Sequence, residues 1–406
     1  AAYRVAFIGS GGRSVCYGRT YAEHDDVEGA AIADPNGDHR RVLKDKAGLS
    51  GPIREFDDWR EMISDIGDDI DGVVIATPNY LHHEPAVACL EMGLPIALEK
   101  PLAHNKAACE HIVDTERATS GRSLIGFVLR STPFYSKIHE LIASGAIGQV
   151  TSIQADELPG WGVSSVMNRN PWRRYTATSG GALLEKSCHD MDMLTWMMGA
   201  RPTALCSFGR RMIFNPNPSL PERCEGCGVA AACKYYKEPP LASHEDPGEQ
   251  VLVQFVREED RCIYNIDKDV VDTQSVTIEY ESGAVANFMM NFNCDGPQAG
   301  RNFHAVGTKG RIWGNMQTWK VVLHKNETGQ TIEFDVAGDG SGHGGGDKLH
   351  ALELLKMMQD PEYVPEQNAA AGYLSAVMCF AADLSRQERR RVELAYTEGG
   401  YIDFVF

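Results

Sequence analysis

Residues 4–34 hold the pattern that most narrows what this chain can become: an apolar run, a glycine turn, a helix-length stretch, a second apolar run and an acid. Arg4-Val5-Ala6-Phe7-Ile8 passes into Gly9-Ser10-Gly11-Gly12-Arg13, and Gly29-Ala30-Ala31-Ile32-Ala33 ends on Asp34. In a dinucleotide-binding strand–helix–strand unit the first glycine permits the tight turn and the second lets the backbone approach a pyrophosphate. The helix N-terminus then stabilises the phosphate charge. Gly9 and Gly11 take those two places, with Gly12 and Arg13 beside them, while Ser14 stands in the third glycine position. The glycines alone are therefore an incomplete fingerprint, and the order of strand, turn, helix, strand and acid carries the reading. A carboxylate at Asp34 accepts hydrogen bonds from both hydroxyls of an adenosine ribose and repels a 2′-phosphate. NAD is expected over NADP, a preference that Arg13 could soften.

Two further short runs, Gly72-Val73-Val74-Ile75-Ala76 and Pro95-Ile96-Ala97-Leu98, close on Thr77-Pro78-Asn79 and Glu99-Lys100-Pro101. Runs of this length separated by helix-length segments predict a parallel sheet buried on both faces. After Ser123-Leu124-Ile125-Gly126 the rhythm changes to alternation, as in 150–155, 275–280 and 284–288. Period-2 alternation fits a mostly antiparallel sheet with one wetter face. Residues 182–198 read as a helix and residues 215–249, rich in Pro, Gly and charge, as an excursion from the core. The expected fold is α/β: a Rossmann doubly wound parallel sheet over residues 1–126, then an α+β domain over 127–406. That second domain holds a large open, mostly antiparallel sheet, and its cysteine-containing excursion spans 215–262.

Composition removes several classes. A net charge of −17 over 406 residues argues against nucleic acid or an anionic membrane as partner. No apolar run approaches the roughly 20 residues that cross a bilayer. The start runs straight into the glycine turn without a basic and apolar leader, so a cytoplasmic location is expected. Most of the eleven cysteines lie singly in apolar segments and read as reduced, buried hydrophobes.

Both tripeptides sit at carboxyl ends of parallel strands, where open α/β sheets bind ligands. A lysine there can hydrogen-bond a reacting hydroxyl and stabilise the oxygen charge that grows as hydride leaves. Glu99 is placed to orient it. On the predicted helix, Glu185 and His189 share one face, with Lys186 beside them and Asp192 continuing the row. Such groups are costly to bury unless they meet a ligand or each other. An imidazole titrating near ~6.5 makes His189 the candidate proton acceptor.

The spacing Gly-x-Gly-x-Arg, Asp34, Thr77-Pro78-Asn79 with His82, and Glu99-Lys100-Pro101 resembles the glucose–fructose oxidoreductase, inositol dehydrogenase and MocA family. The resemblance implies a Rossmann domain and an open-faced sheet domain that mediates homo-oligomers, dimers or tetramers. It implies that Lys100 lies between nicotinamide and substrate and that Glu185 and His189 complete the catalytic set, although aspartate is the commoner acid. Thr77, Asn79, His82, Glu99 and Lys100 then join the glycine turn and Asp34 as cofactor contacts; His82 could equally cap or pack the following helix. Trp172-Arg173 resembles an element near the nicotinamide, and Trp161, Arg169 and Arg174 are candidates to line the substrate pocket. The run from Lys186 to Asp192, Asp269-Val270-Val271-Asp272 and His343-Gly344-Gly345-Gly346-Asp347 resemble one branch, in which Lys186 supplies a second amine.

The expected function is hydride transfer between NAD and a ring hydroxyl of a sugar, cyclitol or derivative. The alternative within the resemblance is an NAD-dependent glycoside hydrolase, which oxidises C3 transiently, eliminates, hydrates and re-reduces. A non-catalytic NAD sensor would lack the catalytic residues, and Lys100 with His189 counts against it. Cys224-x2-Cys227-x5-Cys233, with Cys262 further on, forms a separate motif. Four thiolates suit a structural zinc; a disulfide or a small reduced core are the alternatives.

Overall fold

The computed structural model describes residues 2–237, 260–338, 340 and 342–406, so the part of the excursion at 238–259 lies outside the described residues. These residues divide into two compact units. One is built from residues up to 131 and from 341–376; the other from 132 onward, less that segment, and from 377–406.

The first unit holds six strands: β1 (Tyr3–Ile8), β2 (Val27–Ala33), β3 (Arg54–Phe56), β4 (Gly72–Ile75), β5 (Pro95–Leu98) and β6 (Arg122–Ile125). All pair in parallel, in the order β3-β2-β1-β4-β5-β6. That is the strand order of a dinucleotide fold, with its switch point between β1 and β4. The central residues of β1, β2, β4, β5 and β6 are buried in the core, with α1 (Gly12–Tyr21), α2 (Gly37–Ala47), α3 (Trp59–Ile66), α4 (His83–Glu91) and α5 (Lys106–Ala118) between the strands in sequence. The edge strand β3 escaped the apolar-run reading because its Arg54 and Glu55 are exposed.

The second unit carries α6 (Pro133–Ala143), β7 (Val150–Leu158), α7 (Trp161–Arg169), α8 (Thr176–Ser179), α9 (Ala182–Met198) and β8 (Pro202–Arg210). After the excursion come β9 (Thr273–Tyr280), β10 (Val285–Asn291), β11 (Gly300–Gly307), β12 (Gly310–Asn315), β13 (Lys320–Lys325) and β14 (Thr331–Asp335), then β15 (Val392–Tyr396) and β16 (Ile402–Val405). These ten strands form one sheet, antiparallel except where β7 meets β10. Strict alternation of buried and exposed residues in β9 and β10 matches the period-2 reading, and α9 packs on β7 and β10. Among the described residues no helix is long and apolar enough to cross a membrane.

The chain departs from a simple split at 126/127 because it returns to the first unit near its end. α10 (Gly346–Gln359) places Ala351, Leu354, Leu355 and Met357 in the same core as Val5, Phe7 and Val74. Tyr21 donates to the carbonyl of Ala351 at 3.0 Å. Helix α11 (Ala369–Glu388) then leads from the first unit to the second.

On α10, His350 is fully buried against the edge of the Tyr17 ring, 6.3 Å between centroids, and neither ring nitrogen has a hydrogen-bond partner. Burial, with Arg13 adding repulsion, pulls its pKa down to about 4 against the pull of Glu99 and Asp347. The unfolded imidazole takes a proton near 6.5, the folded one only near 4, so folding weakens as pH falls across that window. The expected loss is about 3 kcal/mol. Urea titrations at pH 7 and pH 4.5 should therefore show a smaller acid loss for His350→Leu than for the wild type; equal losses would remove His350 from the acid response.

Candidate functional site

In the first unit the glycine turn leaves β1 at the switch point. Gly9 has φ +85°, and a Cβ there would sit 2.7 Å from the carbonyl oxygen of Ala76. Only glycine fits both the left-handed backbone and that approach. Ser14 in the third glycine place is fully buried and donates its hydroxyl to the Gly9 carbonyl at 2.6 Å, so the departure from the fingerprint braces the turn. Gly11 caps α1 without a side-chain bond, and no acid lies in its first turn. A Cβ at Gly12 would meet nothing within 4 Å. Bare N–H groups at a helix start, with room above them, fit a pyrophosphate. Asp34 accepts from the backbone N–H of Ser10 and of Asn36, both at 2.9 Å, which fixes its carboxylate against the turn.

Arg13 reaches away from Asp34. Its Nε donates to Glu99 at 2.8 Å and its Nη1 lies 3.0 Å from Asp347, where two carboxylates hold it charged. It is thereby engaged away from any 2′-phosphate beside Asp34. Burial pushes Asp347 upward, yet the hydrogen bond from His343 and the charge of Arg13 prevail and hold it down at about 2.

The two tripeptides are joined by His82. Its ring is fully buried, with Nδ1 2.8 Å from the Pro101 carbonyl and Nε2 3.0 Å from the Thr77 carbonyl. The imidazole thus faces backbone on both sides, between the two tripeptides, and makes no side-chain cap to the helix that follows. Asn79 is buried, Thr77 half-buried. Lys100 stands half-buried just past β5, between Glu99, held by Arg13, and Pro101, held by His82. Gly126 was not singled out by sequence reasoning: a Cβ there would lie 3.0 Å from the Lys100 nitrogen. The end of β6 closes on the lysine's backbone because that side chain is missing.

The second unit separates the charged residues of α9 that the sequence groups in one stripe. Glu185 and His189 are both buried on one face, and Glu185 Oε1 lies 3.0 Å from Nε of Arg173. The Arg173 guanidinium also sits 4.7 Å over the Trp172 ring, so the Trp-Arg pair is fixed beside the acid. Lys186 points elsewhere, to Glu157 of β7 at 3.0 Å. Arg301 of β11 bridges Glu157 at 2.9 Å and Asp190 at 2.8 Å. Two cations and two anions thus neutralise each other in the core. Burial pushes the Asp190 carboxyl up, and Arg301 opposes that. Asp192 is also buried. Asp190 sits inside the quoted run, but Glu157 and Arg301 are 29 and 111 residues away from Lys186 and Asp190 respectively, and only the sheet brings them in.

The arginines expected to read substrate have other work. Arg169 is almost fully buried and donates to the carbonyls of Arg261 (2.7 Å) and Tyr235 (2.6 Å), to Ser165 and to the Cys224 sulfur. Arg174 is buried and donates to the Arg169 carbonyl at 2.8 Å. Trp161 is exposed at the start of α7. Asp269 accepts from Thr176, and Asp272 accepts from the backbone N–H groups of Met212, Ile213 and Phe214, so that motif anchors the excursion. Cys224, Cys227, Cys233 and Cys262 line one cavity as free thiols.

Residues 3–127 match the model described as oxidoreductase family, NAD-binding Rossmann fold, and residues 135–313 match the GFO/IDH/MocA C-terminal domain. The putative oxidoreductase YteT of Bacillus subtilis is 29% identical over 372 residues, 84% of each chain. Inositol 2-dehydrogenase 4 of Saccharopolyspora erythraea is 28% identical over 209 residues, 50% of this chain and 56% of that protein. Among solved structures, levoglucosan dehydrogenase in complex with NADH and levoglucosan superposes with a TM-score of 0.75 at 21% identity, covering 97% of this chain and 99% of that one.

Two outcomes follow from the geometry. Arg301→Met leaves Glu157 and Asp190 buried without their bridging cation and should lower the unfolding free energy by about 3–5 kcal/mol in urea at pH 7; a loss under about 1 kcal/mol would mean the network contributes little. Asp34→Ala should raise the Kd for NAD more than that for NADP, and an unchanged ratio would refute the ribose contact.

Proposed function

Because this chain belongs to the GFO/IDH/MocA family of NAD-binding oxidoreductases, we propose that its substrate is a ring hydroxyl of a sugar, cyclitol or sugar derivative, oxidised to the ketone. Bound NAD supplies the hydride acceptor. Lys100 donates a hydrogen bond to the hydroxyl oxygen and stabilises the negative charge that builds there. His189 accepts the hydroxyl proton, and Glu185, itself held by Arg173, orients the imidazole. The observation that carries this reading is the setting of Lys100: both flanking residues are anchored, Glu99 by Arg13 and Pro101 by His82. A lysine whose backbone is fixed on both sides meets a reacting oxygen with little reorganisation. The relatives named inositol and levoglucosan dehydrogenase support the substrate class.

Glycoside cleavage by borrowed hydride needs a further acid/base pair, and the candidate amine, Lys186, is ion-paired with buried Glu157. Net oxidation is therefore the preferred reading. We also propose that copies assemble through the open face of the large sheet, in line with the exposure of Phe208, Val285 and Met289 on it. A cytoplasmic location belongs to the same proposal.

Sugars, cyclitols and aryl glycosides incubated with NAD distinguish the reactions: NADH accumulation supports oxidation, while aglycone release without NADH overturns it. Lys100→Ala should cut kcat by about 10²–10⁴-fold with the Kd for NAD little changed. His189→Ala should flatten the acid limb of the pH–rate profile; an unaltered profile would take it out of the mechanism.

A further inference from the structure

The cysteine cluster is not used by the proposed chemistry, and its four members come from two stretches that the fold joins. Cys224, Cys227 and Cys233 lie on one loop and Cys262 on the segment that follows the bridge residue Arg261. A single antiparallel bridge pairs Arg223 with Arg261, one residue before Cys224 and Cys262. The Cys224 N–H donates to the Asp260 carbonyl at 2.6 Å, and the Cys262 N–H to the Glu222 carbonyl at 2.8 Å. In that antiparallel register Cys224 stands opposite Asp260 and Cys262 opposite Glu222, which makes the two cysteines diagonal neighbours on one face of the bridge. From Cys224 the loop winds in successive tight turns, with Cys227 N–H on the Cys224 carbonyl (3.1 Å), Ala230 on Cys227 (3.0 Å) and Cys233 on Ala230 (3.2 Å). The winding returns all three to one cavity of ≈ 20 Å³, which Cys262 also lines. Such a space holds about one water-sized sphere.

We propose that Cys224, Cys227, Cys233 and Cys262 bind one structural zinc ion as thiolates. As placed, no group of three or more His, Cys, Asp or Glu among the described residues is arranged to hold a metal. A cysteine has one torsion between backbone and sulfur, and rotation about it is the movement the proposal requires to bring the four sulfurs together around the cavity they line. All four are free thiols, and no disulfide divides the set. Soft sulfur donors that fill four positions leave none open, which makes the site structural rather than catalytic. The charge also fits. Zinc with four thiolates carries two net negative charges, and the buried guanidinium of Arg169 already donates to the Cys224 sulfur at 3.7 Å. Each thiol releases its proton to solvent as it binds.

The consequence reaches beyond the loop. Arg169 ends α7, its carbonyl accepts from Arg174, and Arg173 between them on the following turn holds Glu185. Zinc at the cluster would thereby fix the segment that orients α9.

Metal analysis of the full chain, purified without chelator, should return about one zinc per chain. Cys224→Ser, Cys227→Ser, Cys233→Ser and Cys262→Ser should each bring zinc to background, while Cys206→Ser in β8 keeps it. Should the variants fail to fold, the wild type decides: cobalt(II) replacement should give the intense visible bands of a tetrahedral thiolate site, and a mercurial reagent should release the metal as about four thiols react. Absence of zinc, retention of zinc by all four variants, iron in its place, or a disulfide within the cluster overturns the proposal.

Discussion

The ion pair between Arg13 and Glu99 joins the glycine turn to the strand end that carries Lys100. Two elements that a parallel sheet merely sets at the same edge become one rigid assembly through that contact. Glu99 is almost fully buried, so its charge needs a partner, and Arg13 is the cation that meets it. Asp347 completes the arrangement from α10, the helix by which the chain returns to its first unit long after leaving it. On the other flank of Lys100, His82 ties the Thr77 and Pro101 carbonyls together. The anchored neighbours of the lysine carry its backbone positioning.

Helix α9 solves a related problem by dividing its polar groups between two faces. Glu185 and His189 share the face that meets Arg173, whereas Lys186 and Asp190 turn to Glu157 and Arg301. The second set is close to charge-neutral and sits in the core, where a partner lost is expensive and a partner kept fixes the helix on its sheet. A helix held on one side by ion pairs can present the other to a ligand without sliding. The arginines of α7 and the turn after it extend the same logic, since they bond to carbonyls and a sulfur rather than to solvent.

Much of this was legible in the chain. The strands at 4–8, 72–75 and 95–98, the helix at 182–198 and the alternating strands of the second sheet follow from apolar periodicity, because burial on two faces, one stripe or alternate residues each leaves its own pattern. Less legible were residues whose partners lie far off in sequence. Arg169 reads as a pocket-lining residue because a guanidinium suits an anionic or hydroxylated ligand, yet it is buried among carbonyls that loops supply. Glu157 and Arg301 carry no local signal, since a charged residue on a strand reads as solvent-facing until its neighbour is known. Gly126 is ordinary in sequence and matters only because the backbone of Lys100 lies against it.

The sequence by itself determined the fold class, the dinucleotide turn with its acid, and the chemical types available for catalysis. All of these depend on short-range order: which residue follows a strand, opens a helix or recurs at helical spacing. The tertiary structure decided which charges are paired. It set His82 between two carbonyls, engaged Arg13 with Glu99 and Asp347, sorted α9 into two faces and gathered four cysteines around one cavity. Those outcomes depend on sheet register and helix packing, which bring together residues that the chain keeps far apart.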